Sequence, residues 1–242
     1  MSRARGAPLT VVTWKWRAPY KYRSTFTGHH VNVLRNMVAR HYAKPHRFVC
    51  VTDDPAGIDS GIEVVPLWPD HQNLISPHGP GNPSCYRRLR MWARDAAEYF
   101  GPRFVSLDLD TVLVRDVAPI FDRPEELVLW GDTSPGTPYN GGLVLMDAGC
   151  RPKVWETFDP MRSPLAGRQA RYIGSDQAWI AVCLGPGEAK FSHKDGVYSY
   201  RNHIARMGGK LPPDARLVSF HGQFDPWSPE PQRLEWVRNA YR

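Results

Sequence analysis

"SLDLDTVLVRD" (106–116) closes an apolar run with two carboxylates one residue apart. Read as part of a strand over 103–114, it puts Asp108 and Asp110 on one side, because side chains at i and i+2 share a face. Like charges so close each disfavour the other's ionisation, and a cation between them removes the conflict. The stretch predicts a strand whose carboxyl end meets positive charge.

Upstream, "LTVVTWKW" (9–16) is β-branched and bounded by Pro8 and Pro19, the marks of a strand. A helix is expected over 27–42, where Val31, Leu34, Val38 and Tyr42 share one face and Arg35 and Arg40 fall off it. "RFVCVTDD" (47–54) and "IEVVPLW" (62–68) read as two more strands, with Pro55, Ala56 and Gly57 in the turn between them. A Pro/Gly/His-rich loop (69–84) leads to a helix over 85–100 that Gly101 and Pro102 stop. This alternation predicts an α/β fold with a Rossmann-like, mixed but mostly parallel sheet flanked by helices. In such sheets ligands lie beyond the carboxyl ends of strands, where Asp108 and Asp110 fall. Later segments, "LVLWGD" (127–132), "YNGGLVLMD" (139–147) and "RLVSFHGQFDPW" (216–227), mix short strands with loops and should pack on the same sheet. No repeat or low-complexity linker divides the chain.

The chain has 242 residues, 42% hydrophobic and 23% charged, which is the composition of a soluble globular protein. No apolar run nears the ~20 residues of a membrane span. The basic N-terminus is followed only by a strand-like run, so neither a signal peptide nor a transmembrane segment is expected. Cys50, Cys85, Cys150 and Cys183 have no CxxC or zinc spacing and read as reduced thiols of a cytoplasmic protein. The net charge is +7, and residues 1–100 carry the excess, with 14 Lys+Arg against 7 Asp+Glu. Arg3, Arg5, Arg17, Lys21 and Arg23 flank the first strand, and no acid precedes Asp53. Such a field suits nucleotide phosphates, nucleic acid or anionic glycans.

Two enzyme classes use a DxD stretch after an apolar strand. Haloacid-dehalogenase-type phosphatases make the first Asp a phosphorylated nucleophile and the second an acid/base, and "DLDTVL" fits their pattern. Nucleotide-sugar transferases of the GT-A type hold a divalent ion on the donor diphosphate instead. The phosphatase motif normally lies on the first strand, whereas about a hundred residues of strand–helix–strand precede this one. A non-catalytic module binding a nucleotide sugar or a nucleic acid is the remaining alternative.

Four further segments accompany the DxD: "YRRL" (86–89), "YNGGLVLMDAG" (139–149), "GSDQAWI" (174–180) and "FHGQFDPW" (220–227). In this order, with "SLDLDTVLVRDVAPIF" (106–121), the chain resembles GT-A glycosyltransferases related to family 8, the group of glycogenin and bacterial lipopolysaccharide galactosyltransferases. The resemblance runs from residue 86 to 227 and is looser upstream. It implies a single GT-A-like catalytic domain over 1–242, with a nucleotide-binding half (1–110) and a sugar- and acceptor-binding half (111–242). It also implies transfer of a sugar from a nucleotide sugar, a UDP-sugar, with retention of configuration.

Each segment has a chemical reason. Departure of a diphosphate builds negative charge that a divalent ion offsets as a Lewis acid. Asp108 and Asp110 offer hard oxygens, and His221 corresponds by resemblance to the family's third protein ligand. That mixed set favours Mn²⁺, with Mg²⁺ next. Asn140, Gly141 and Gly142 allow backbone and amide to approach a sugar closely, and Gly141, where the family often has Ser, is a mild departure. By resemblance Asp176 fixes sugar hydroxyls and Gln177 lies near the anomeric carbon. Asp132 is either a sugar contact or a turn residue. Thr13, Lys15 and Tyr22 are expected to contact the base and phosphates. The family usually has Lys before Pro-Trp, and Asp225 stands there, so Lys15 or Arg88 is expected to supply the missing cation. The acceptor is expected to be anionic: a glycan, a phosphorylated glycan or a modified nucleic acid.

Overall fold

A computed structural model describes residues 7–17, 25–131, 133, 136–222 and 224–242. Its strands are β1 (Leu9–Lys15), β2 (His46–Thr52), β3 (Glu63–Pro66), β4 (Arg103–Leu107), β5 (Thr111–Leu113), β6 (Leu127–Trp130), β7 (Asn140–Asp147), β8 (Ala189–Phe191), β9 (Val197–Ser199) and β10 (Leu217–Ser219). Its α-helices are α1 (Gly28–His41), α2 (Ala96–Phe100), α3 (Ala118–Phe121), α4 (Lys153–Glu156), α5 (Ser163–Gln169), α6 (Asp176–Leu184) and α7 (Glu235–Ala240). Seven strands form one sheet in the order β3-β2-β1-β4-β7-β6-β8, and β5, β10 and β9 form a second. In the large sheet only β7 runs against its neighbours β4 and β6, so the sheet is mixed and mostly parallel, as expected.

The strands of the large sheet are apolar on both faces because both are covered. Val11, Val105, Leu107 and Leu145 point into one core with Val31, Leu34 and Val38 of α1. Their alternates Val12, Phe104, Val144 and Met146 point into the other, with Leu89, Trp92 and Ile180. The helical spacing read from the sequence is therefore the buried stripe of α1, which Thr27 starts as part of a capping box with His30.

Two expected elements are broken. The helix expected over 85–100 is a 3₁₀ turn, Tyr86–Trp92, followed by the short α2. Arg90 reaches forward to Asp95 with both guanidinium nitrogens at 2.5 Å while lying over the rings of Trp68 and Trp155. A pair five residues apart does not share a face of a continuous helix, so the contact accompanies a break in the helix at Ala93. The strand expected over 103–114 also divides. The Thr111 N–H donates to the Asp108 carbonyl at 3.2 Å, a turn that ends β4 at Leu107 and starts β5 in the other sheet. Asp108 and Asp110 thus do not share a strand face, and the turn between them joins the two sheets. Among the described residues no helix is long and apolar enough to cross a membrane.

Candidate active site

Leu107 of β4 pairs with Leu143 of β7, so Asp108 leaves the sheet beside the first residues of β7. Its N–H donates to the Gly142 carbonyl at 3.0 Å. Here one guanidinium serves two acids. Arg88 donates through Nη1 to Asp108 Oδ1. Through Nε and Nη2 it meets Asp176 Oδ2 at 3.0 and 2.8 Å. The cation that the paired acids called for is first of all Arg88, set between Asp108 and Asp176 rather than between Asp108 and Asp110.

The long-range packing explains how "YRRL" and "GSDQ" come together. The Cys85 N–H donates to Ser175 Oγ at 2.8 Å, tying the 3₁₀ turn to the residue that opens α6. Burial by itself would lower the Arg88 pKa, but Asp108 and then Asp176 more than reverse this and hold the guanidinium charged. Burial pushes the Asp176 carboxyl up, Arg88 pulls it back, and the Asp108 charge adds to the rise. Both Arg88 and Asp176 are almost wholly buried, whereas the Asp108 side chain is 36% exposed. The cluster therefore carries one unmatched negative charge, and its open end is Asp108.

The glycines of "NGG" make room for this cluster. A Cβ on Gly141 would stand 2.8 Å from Asp176 Oδ2 and 2.9 Å from Arg88 Nη2. One on Gly142 would stand 2.8 Å from Asp108 Oδ2 and 3.0 Å from Asn140 Oδ1. Gly141 is thus not the mild departure expected: in this packing a side chain there displaces the ion pair. Asn140 Oδ1 accepts from the Gly142 N–H at 2.7 Å, which fixes its amide beside the same carboxylate. Gln177 follows Asp176 on the first turn of α6, half-buried, and its Nε2 donates to the Ile173 carbonyl at 2.9 Å.

Asp110 and His221 come from the second sheet. Thr111 of β5 pairs with Ser219 of β10, and the Phe220 N–H donates to the Asp110 carbonyl at 2.9 Å. His221 thus follows β10 where Asp110 precedes β5. Its Nε2 lies 2.7 Å from Ser199 Oγ, and its ring meets Trp130 edge-on. Burial and then the Arg201 charge, against the opposing charge of Asp108, lower its pKa to about 4, so the imidazole is neutral near pH 7. Among the described residues no group of three or more His, Cys, Asp or Glu stands ready to hold a metal. The donor set nonetheless fits a hard divalent ion: a partly exposed carboxylate with unmatched charge, a second carboxylate and a neutral imidazole.

The first-strand residues have protein partners instead of open faces. Thr13 is fully buried and donates its hydroxyl to the Leu107 carbonyl at 2.9 Å. Lys15 is 2% exposed and donates to Asp54 Oδ2 at 3.0 Å and to the Asp54 carbonyl at 2.5 Å. Both were expected at the donor, and both are used to join β1 to its neighbours. Neither Lys15 nor Arg88 is a spare cation for the lysine absent at Asp225, which is itself buried. Tyr22 and Asp132 lie outside the described residues. So do Arg3, Arg5, Lys21 and Arg23, while Arg17 pairs with Asp54 at 3.3 Å. Lys44 pairs with Asp122 and Arg47 with Glu63, so the described basic residues of the first half are spread and largely matched.

The cation missed in the sequence is Arg201. It is exposed, its charge acts on His221, and its Nη1 lies 3.0 Å from where a Cβ on Gly222 would stand. No local pattern marks it, because a π-turn, Tyr200–Ile204, brings it to a loop twenty residues on.

No family model matches the chain, and neither does any curated protein. Solved structures do. The galactosyltransferase LgtC, determined with donor and acceptor sugar analogues, superposes with a TM-score of 0.62 at 14% identity over 97% of each chain. The glycosyltransferase GlyE of Streptococcus pneumoniae TIGR4 gives 0.57 at 13% identity, over 96% of this chain and 63% of its own. The bifunctional glycosyltransferase WbbM gives 0.54 at 12% identity, over 99% of this chain and 51% of its own. The likeness at such identities is one of fold: this chain has the GT-A glycosyltransferase architecture, as expected.

Proposed function

We propose that the protein is a glycosyltransferase of the family 8 kind. In this reading one catalytic domain moves a sugar from a UDP-sugar to an acceptor hydroxyl with retention of configuration. The observation that carries the reading is the Asp108–Arg88–Asp176 cluster, seated on Gly141 and Gly142 at the carboxyl end of β4. Incomplete neutralisation there leaves a partly exposed carboxylate where open α/β sheets bind their ligands.

Asp108, Asp110 and His221 would hold a divalent ion, Mn²⁺ or Mg²⁺, which supplies Lewis-acid stabilisation of diphosphate charge. Arg88 orients Asp176 and opposes the rise that burial gives its carboxyl, so that the carboxyl oxygens can accept from sugar hydroxyls. Asn140 offers an amide on the same side. Gln177 lies at the edge of that surface, where its carbonyl oxygen can face positive charge on the sugar ring. Arg201, exposed beside His221, would be the cation that meets the donor's phosphates. Preorganised charge of this sort is usually the largest catalytic contribution.

The transferase reading is favoured over the phosphatase alternative by the position of Asp108 after the fourth strand and by the engagement of its carboxylate by Arg88. Thermal-shift titration with nucleotide sugars, with and without Mn²⁺, followed by donor hydrolysis, tests the reading. A UDP-sugar should raise the melting temperature in a Mn²⁺-dependent way and be hydrolysed slowly. Phosphate release from aryl phosphates with no nucleotide-sugar response would overturn it, and UDP binding without turnover on any acceptor would leave only a binding module.

A further inference from the structure

Basic charge stands at the surface beside the candidate site, in residues 160–175. This stretch contains Arg162, Arg168 and Arg171 and no Asp or Glu. All three arginines are exposed; Arg162 meets the neighbouring Asp159 through its N–H at 2.8 Å and through its charge, while the side chains of Arg168 and Arg171 make no hydrogen bond or ion pair among the described residues. The same stretch holds three of the most exposed large apolar side chains described, Met161 at 79%, Leu165 at 53% and Ile173 at 45%.

Their arrangement follows helical geometry. In α5 the buried residues are Ser163 and Gly167, one turn apart, where the helix packs with Ala178 of α6. Leu165 and Arg168 therefore project from the opposite side, and Met161, four residues before Leu165 on the turn leading into α5, extends that outward row. An outward face that alternates large apolar and arginine side chains inverts the usual surface helix. Arg171 adds a second sign. It follows this helix at φ 59, a left-handed conformation that Gly or Asn adopts with less strain, and its guanidinium has no hydrogen-bond or ion-pair partner among the described residues. The patch also runs into the site: Ile173 accepts from Gln177 Nε2, and its N–H is held by Thr137 Oγ1 at 2.9 Å.

We propose that residues 161–173 dock this rim of the protein onto an anionic lipid bilayer. Arginine guanidiniums meet headgroup phosphates while Met161, Leu165 and Ile173 enter the boundary with the acyl chains. A polyanion such as nucleic acid would use the arginines and leave the apolar side chains exposed, and a protein partner would not require one sign of charge throughout. Resting on the transferase reading, the inference has a corollary: acceptor hydroxyls carried at a membrane surface are presented to Gln177 and Asp176.

The test is co-sedimentation of the full chain with vesicles of phosphatidylcholine alone and of phosphatidylcholine with phosphatidylglycerol. Binding should require the anionic lipid and weaken with salt. The triple variant Arg162→Gln/Arg168→Gln/Arg171→Gln should lower it roughly a hundredfold. Met161→Gln/Leu165→Gln should lower it roughly tenfold or more, and Met207→Gln, at an exposed apolar residue in another segment, should not change it. Arg171→Gly separates docking from folding, since it should hold or raise the melting temperature while weakening vesicle binding. No binding at low salt, equal loss with Met207→Gln, or sedimentation without vesicles would each overturn the proposal. Vesicle binding is read without donor or turnover, so its failure leaves the transferase reading standing, and failure of that reading leaves lipid docking testable.

Discussion

Two strand ends of the large sheet carry buried cations beside carboxylates, and they differ in how the charge is closed. At the end of β1, Asp54 faces the buried Lys15 and the exposed Arg17, and Arg87 nearby meets Asp53 at 3.1 Å, so each acid has at least one cation of its own. At the end of β4, Arg88 alone faces both Asp108 and Asp176. The first arrangement is finished, and a ligand has nothing to complete. The second is short by one positive charge, on a carboxylate open to solvent. Buried cations with carboxylates thus mark a site only where the pairing does not balance.

The strongest way to break this comparison is Arg88→Met. It leaves Asp176 buried without its partner, for which a loss of about 3–5 kcal/mol is expected. Thermal and denaturant unfolding should show that loss together with the disappearance of donor hydrolysis. A variant with wild-type stability would mean that the cluster is not the buried pair described.

Next in size, Gly141→Ser puts a side chain against the Asp176–Arg88 pair. Overpacking of this kind costs about 1–3 kcal/mol, and the displaced carboxylate should weaken donor binding as well. Normal unfolding and normal donor affinity in the serine variant would show that the pair moves freely aside.

Gln177→Ala sharpens the catalytic side of the contrast. Its contact is expected to strengthen as charge develops, so kcat should fall roughly tenfold or more while donor affinity stays nearly constant. Equal kcat in the variant would return Gln177 to the loop that its Nε2 supports.

The smallest effect belongs to the finished end. Lys15→Met should lower the melting temperature modestly, because Asp54 can turn to water, and leave donor affinity unchanged. If donor affinity falls more than stability, Lys15 reaches the ligand and the β1 end is part of the site.

The first strands and α1 were legible because their cause is local. An apolar stripe at 31, 34 and 38 declares a helix, and β-branched runs bounded by Pro declare β1. The observed β1, β2 and β3 lie within or one residue beyond the expected spans, and α1 within its own. The break at Ala93 was not legible, since it accompanies the Arg90 contact with Asp95 and with the Trp68 and Trp155 rings, which are distant in sequence. Asp108 was singled out by its neighbour Asp110, yet its partner in space is Arg88, twenty residues upstream, and the pair extends to Asp176. Gly141 looked tolerant because its crowding comes from side chains on two other segments. Thr13 and Lys15 were placed at the correct end of the sheet, but a sequence does not say which way a buried polar side chain finds its partner. Arg201 had no signal at all.

The turn at 108–110 also governs when the site can exist. Asp108 ends a strand whose partners β1 and β7 lie in the large sheet, while Asp110 precedes β5, whose partner β10 is separated from it by about a hundred residues. The large sheet can therefore assemble with Asp108, Arg88 and Asp176 in place while His221 is still absent. Only pairing of β10 with β5 brings the backbone that leads into His221 onto Asp110. If the proposed metal reading holds, refolding chains should regain bulk sheet structure before any capacity to retain a divalent ion.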